Sequence, residues 1–148
     1  MSKPIVIPFE TTLHVRDTCL CLHVQRAARA LARKFDEALR PLDLTNGQFS
    51  LLMSLNRPEP PPMAPVAHLL AMDRTTLTAA LKPLEKRGLV TVLIDHADRR
   101  QRRMKLTPAG HALLAQAMPI WTKTHAQLDE ALGEGVPGRL RGDLMALA

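Results

Sequence analysis

The chain has 148 residues, 46% of them apolar, and carries 20 Lys and Arg against 14 Asp and Glu for a net charge of +6. That length supports one domain with a core of its own, and the apolar share excludes a disordered chain. The positive balance favours a polyanionic partner such as nucleic acid, and no run of about 18 apolar residues is available to span a membrane.

Residues 1–16, punctuated by Pro4, Pro8 and the polar Glu10-Thr11-Thr12, read as an extended arm. Their short, proline-broken apolar stretch is unlike a signal peptide, so a cytoplasmic protein is expected. A helix is expected from Asp17 or Thr18. Its apolar positions Cys21, Val24, Ala28, Leu31, Phe35, Ala38 and Leu42 recur in steps of three and four, with Pro41 ending the regular part. Thr45 with Gln48 forms a capping box for a second helix reaching about Asn56.

The proline-rich loop 57–62 precedes a short helix carrying Val66, Leu69 and Leu70. Asp73 then caps a helix over 74–87 that Gly88 ends. Residues 89–94 are rich in β-formers, and the polar stretch 95–103 turns the chain back toward Met104-Lys105-Leu106, which predicts a two-stranded hairpin. Thr107 and Pro108 open a long helix through Leu132, and Gly133, Gly135, Pro137 and Gly138 break it before a last helix over about 139–147.

The expected fold is mostly α with a small β-hairpin wing. Residues 17–148 would form one domain, with a winged helix-turn-helix lobe at about 45–106. The helices of 17–42 and 107–148 have apolar seams without a partner in that lobe, which predicts a homodimer.

In the helix after Asp73, Leu77, Leu81 and Leu84 form the inner face, leaving Arg74, Thr75, Thr76, Thr78 and Lys82 outside it. A recognition helix presents such hydroxyl and cationic side chains to the major groove; a solvated amphipathic face is the plainer alternative. The segment 95–105 adds five basic residues, Arg99, Arg100, Arg102, Arg103 and Lys105, against Asp95 and Asp98. A basic finger one strand beyond a recognition helix suits phosphate or minor-groove contact.

The run Asp98-x-Arg100-x-x-x-Met104-x-Leu106-Thr107-x-x-Gly110 resembles the wing signature of the MarR family of regulators. Leu84-Glu85-Lys86-Arg87-Gly88-Leu89-Val90 and Leu44-Thr45-x-x-Gln48-Phe49 are similar to two further family elements at the expected spacing. The resemblance spans about 17–135 and implies a regulator, in most members a repressor, bound to a pseudo-palindromic operator as a homodimer. It implies that Arg100 enters the minor groove and that Asp98 braces the wing by pairing with a basic group. Thr107 would cap the long helix, and Gly110 would permit a close approach. Two residues depart from the pattern: Ala71 stands where the turn often has glycine, and Pro83 should kink the recognition helix.

The resemblance also implies a signal. A small-molecule pocket would draw on His23, Arg26, Phe49 and Met53, with Arg26 able to hold a carboxylate of an aromatic or phenolic effector. Phe49 and Met53 at helical spacing are more often core residues. Cys21 is spaced from Thr45 like the reactive cysteine of the hydroperoxide-sensing members, with Cys19 as a partner across the dimer. The chain has no tyrosine to activate such a thiol, and a buried structural cysteine is the alternative. Apart from the cramped Cys19-x-Cys21-x-His23, the six histidines show no metal-ligand spacing, so no metal or other cofactor is expected. No nucleophile elbow, phosphate loop, zinc-protease motif or paired carboxylate argues for an enzyme. A basic RNA- or protein-binding module is the rival reading, and it lacks aromatic platforms.

Overall fold

A computed structural model describes all of residues 1–148 as seven helices and two strands. The chain divides into two compact units, Met1–Lys34 and Phe35–Ala148. No helix is long and apolar enough to cross a membrane.

In the first unit, α1 runs over Phe9–Thr18, so the extended arm is confined to residues 1–8. The Thr11 amide donates to Pro8 O at 3.1 Å, and Glu10 sits in the first turn, where the helix dipole favours an acid. This helix buries no residue, and its sequence, with apolar side chains only at Phe9, Leu13 and Val15, carries no marked apolar stripe. Cys19 interrupts it with extended backbone (φ −71°, ψ 111°), and α2 (Leu20–Leu39) follows. Cys19 is thus outside both helices. The α2 face expected to be a seam is open: Val24 and Leu31 are exposed, as is Cys21. Only Leu39, at the far end of α2, is fully buried.

The second unit starts within α2. After a 3-10 turn (Arg40–Leu42), Asp43 adopts the left-handed conformation and the chain enters α3 (Asn46–Ser54) through the expected Thr45–Gln48 capping box. The short α4 (Met63–Leu69) and α5 (Arg74–Lys86) form the helix-turn-helix, with Asp73 Oδ1 accepting from the Thr76 amide at 2.7 Å. Ala71 supplies the positive φ of the turn, +52°, where glycine is usual. Pro83 leaves α5 unbroken, and Gly88 ends it at φ +73°.

Strands β1 (Val90–Ile94) and β2 (Arg102–Leu106) pair antiparallel, Val90 opposite Leu106 and Ile94 opposite Arg102. The proline loop lies along β2: Pro62 bridges Arg103, and the Met104 amide donates to Pro61 O at 3.0 Å. Helix α6 (Pro108–Leu132) carries the Thr107 cap, and α7 covers Val136–Met145. The last helix starts three residues earlier than expected because Pro137 lies in its first turn, where no N–H is needed.

The core is built from α3, α4, α5, the hairpin and α6. Leu39, Leu51, Leu52, Val66, Leu77, Leu84 and Met104 are fully buried. Leu77, Leu81 and Leu84 seat α5 on this core, which leaves its opposite face outward.

Candidate nucleic-acid interface

On α5, Arg74, Thr78, Lys82 and Thr75 fall within an arc of about 100° at 100° per residue. These four line one open depression of about 370 Å³ with Ala79. Thr76, about 200° from Arg74, lies off it, and its amide is taken by the Asp73 cap. The Thr78 hydroxyl donates to Arg74 O at 2.8 Å, which fixes its rotamer while leaving the oxygen free to accept. All five side chains are exposed.

Arg74 also lines a smaller cleft, about 130 Å³, with Pro62, Met63, Ala64, Gln101 and Arg102. The start of the recognition helix and the base of the wing therefore present two guanidinium-bearing residues to one hollow. A phosphate there would meet both charges, the geometry that Arg serves well.

The wing turn is held by its acids in a way that differs from the expectation. Asp98 pairs with no basic side chain. Its Oδ1 accepts from the Arg100 amide at 3.0 Å, and its carbonyl accepts from the Gln101 amide at 2.9 Å, a local turn of the kind Asp favours. The brace is Asp95, which sequence reasoning had left within the polar turn. It is buried, 7% exposed, and its Oδ2 lies 2.9 Å from Arg103 Nε. Arg103 also donates to Pro60 O at 2.8 Å. Arg103 is therefore a framework residue whose guanidinium is bonded to Asp95 and the Pro60 carbonyl at the wing base. Arg99 and Arg100 are exposed at the tip, and Arg102, donating to Arg99 O at 2.9 Å, is exposed beside them.

A second framework cation, Arg87, was likewise missed: it donates to Asp43 O at 2.6 Å and to Leu42 O at 3.3 Å, tying the end of α5 to the turn before α3. Its partners lie 44 and 45 residues away, so no local pattern reveals them.

The expected effector residues fall in both units, Phe49 and Met53 in the second and His23 and Arg26 in the first. Phe49 is a core residue, 7% exposed, stacked on Trp121 with ring centroids 6.3 Å apart. Met53 is half-buried against the same core. In the first unit, Arg26 is exposed, and His23 Nδ1 lies 2.7 Å from Cys19 O. The aromatic group continues instead from Trp121 to His125 (4.8 Å) and from His125 to Phe35 (6.2 Å). Asp129 Oδ2 lies 3.3 Å from His125 Nδ1, while Asp129 Oδ1 is buried without a partner.

The thiols are free. Cys19 Sγ accepts from the Leu22 amide at 3.5 Å at the start of α2, and Gln25 Nε2 donates to Cys21 Sγ at 3.0 Å.

The MarR family model matches residues 44–101, from the entry to α3 through the wing turn. The transcriptional regulator MosR of M. tuberculosis, in complex with DNA, is 38% identical with a TM-score of 0.79, the match covering 87% of this chain and 92% of MosR. The repressor CouR, bound to a 23-mer DNA duplex, is 29% identical with a TM-score of 0.80, covering 90% and 94%. A cysteine variant of E. coli MarR, complexed with operator DNA, is 26% identical with a TM-score of 0.80, covering 91% and 97%. With a close relative aligned over nearly its whole length and the helix-turn-helix and wing in the family's order, the chain belongs to the MarR family.

Proposed function

We propose that this chain is a DNA-binding transcriptional regulator, a repressor that binds a pseudo-palindromic operator as a homodimer. The carrying observation is the outward face of α5, where Arg74, Thr75, Thr78 and Lys82 share one depression beside a wing that exposes Arg99, Arg100 and Arg102. Helix and finger together match the demands of major-groove readout with flanking backbone or minor-groove contact. MosR, CouR and MarR, each crystallised on DNA, support the reading. The dimer would cover apolar residues that the single chain exposes, among them Val15, Leu20, Val24, Leu140, Leu144 and Leu147. Titrating the promoter region of its own gene by fluorescence anisotropy tests this reading. Saturable binding that outcompetes a scrambled duplex is expected, and equal affinity for both would overturn it.

The modulating signal we propose is a small aromatic or phenolic effector. Its place is moved from the expected residues to the group Phe35, Trp121 and His125, beside the unpartnered Asp129 oxygen. A donor on the effector would satisfy that acceptor, and the rings would stack on it. Trp121 is the only tryptophan, so quenching of its emission reports binding directly.

A second reading, redox sensing at Cys21 with Cys19, is favoured by the exposure of Cys21. Cys19 adds to it by standing at the start of α2, where its sulfur accepts from the Leu22 amide and is a second free thiol near Cys21.

A further inference from the structure

One buried carboxylate ties the two sides of the wing's neck together and holds the arginine that reaches the body of the second unit. Asp95 stands immediately after β1, and both of its oxygens are used. Oδ1 accepts from the Ala97 amide at 2.8 Å, at the start of the turn, and Oδ2 accepts from Arg103 Nε at 2.9 Å, on the returning strand. Its own amide donates to Gln101 O at 3.1 Å, closing the neck of the turn. Arg103 carries the constraint onward, donating to Pro60 O at 2.8 Å, while Met104 N–H reaches Pro61 O. The three-residue stretch Pro60–Pro62 has no amide hydrogens to offer and serves only as a row of acceptors. Beyond this neck, residues 96–100 are exposed, and Arg99 and Arg100 hang from it.

We propose that Asp95 is the positioning residue of the DNA-contacting wing: through Arg103 and the Pro60 carbonyl it sets where the Arg99–Arg100 tip stands relative to α5. This rests on the reading of the wing as a DNA contact. A guanidinium can enter a groove only if its base is held in register with the recognition helix, because misplacing a charged donor loses its short, directional bonds. Asp95 acts through Arg103 and the wing tip, not by touching DNA itself.

The chemistry of the site makes the test selective. Asp95→Asn conserves shape, yet asparagine has one acceptor oxygen where two donors converge. If it accepts from Ala97, its amide group faces Arg103 donor to donor. Arg103 then swings free, and the neck loses its link to Pro60. Arg103→Lys keeps the charge but cannot span Asp95 and Pro60 O at once.

Two measurements decide the matter. In the free protein, amide hydrogen exchange over residues 96–101 is expected to be at least several-fold faster in Asp95→Asn than in wild type, with α3, α5 and α6 unchanged. On the operator, Asp95→Asn is expected to bind about 5- to 30-fold more weakly, part of the range of a lost base-region contact. In an Arg100→Ala background it should cost less than about twofold more, since both changes remove the same contact. A residue serving stability alone would give losses that add. Additive losses, or wild-type exchange together with wild-type affinity, overturn the proposal. Should Asp95→Asn fail to fold, Arg103→Lys carries the same expectations in both measurements. If wild type binds no duplex specifically, the regulator reading falls, while the exchange data still decide whether Asp95 holds the wing.

Discussion

Gly110 lies so close to the Leu89 carbonyl that a Cβ on it would overlap the Leu89 oxygen, standing 3.2 Å from the carbonyl carbon and 3.3 Å from Leu106 Cδ2. The same carbonyl accepts from the Thr107 amide at 3.0 Å, and the Thr107 hydroxyl donates to Gly88 O at 2.6 Å while capping the Gly110 amide. The start of α6 is thus locked against the end of α5 and the start of β1 by backbone, which cannot swing aside. Alanine in a helix interior ordinarily gains about 1 kcal/mol over glycine. Here Gly110→Ala is expected to lose about 1–3 kcal/mol through overpacking, read as a lower thermal midpoint; a rise would show that α6 can slide.

Ala71 is the converse case. At φ +52° it pays the left-handed penalty of a side chain, about 1–2 kcal/mol, against a smaller entropic cost for glycine. Ala71→Gly should therefore raise stability by up to about 1 kcal/mol in denaturant unfolding without altering DNA affinity. A loss of stability would mean that the turn is not left-handed in solution.

Replacing Arg100 with alanine should weaken operator binding by about 5- to 150-fold while leaving the dimer intact. The dependence on salt should be steep, with roughly 6–10 phosphates neutralised per dimer. Arg103→Ala should instead act mainly through the wing's attachment, changing the salt slope little because Arg103 is already paired with Asp95. Anisotropy titrations at several salt concentrations distinguish the two. Wild-type affinity for Arg100→Ala would remove the wing from the interface.

Three carboxylates tie stability to acid pH. The Asp95 carboxyl lies below the ordinary range because of the Ala97 amide and then Arg103. Asp36 is lowered by the backbone and then the side-chain amide of Asn46, and Asp73 by the Thr76 amide. A pKa depressed in the folded state stabilises it fully above the unfolded value and is lost as pH falls through the folded one. The thermal midpoint should hold down to about pH 4 and fall below it, with a shallower fall in Asp95→Asn. A midpoint level down to pH 3 would contradict these bonds.

The signal is separable by one titration. Wild type, Cys19→Ser and Cys21→Ser are challenged with cumene hydroperoxide while bound to operator. Retention by wild type at large excess is expected if an aromatic effector is the signal. Release by wild type but not by Cys21→Ser would establish the thiol instead, since a sulfenic acid or disulfide changes polarity and reach at the start of α2.

The features legible in the sequence are those whose partners lie within one turn of the chain. The Thr45–Gln48 box, the Asp73 and Thr107 caps and the leucine face of α5 are all i to i+3 or i+4 relations, and each stands where the residues place it. The wing motif is similarly local, and so the fold and the exposed basic set could be read from spacing. Helix α1 escaped because the run Phe9–Thr18 has apolar residues only at Phe9, Leu13 and Val15 among polar ones, too few to mark a stripe, and follows two prolines. Only the tertiary structure separated Arg103 from Arg99 and Arg100, residues of one charge in one short run. The difference is set by a carbonyl 43 residues earlier, at Pro60, and by the burial of Asp95. Phe49 likewise became core rather than pocket through Trp121, more than seventy residues on. Composition and period specify which face of an element is apolar or charged. Which charge is spent inside and which is left for DNA depends on distances between segments, and those exist only once the chain has packed.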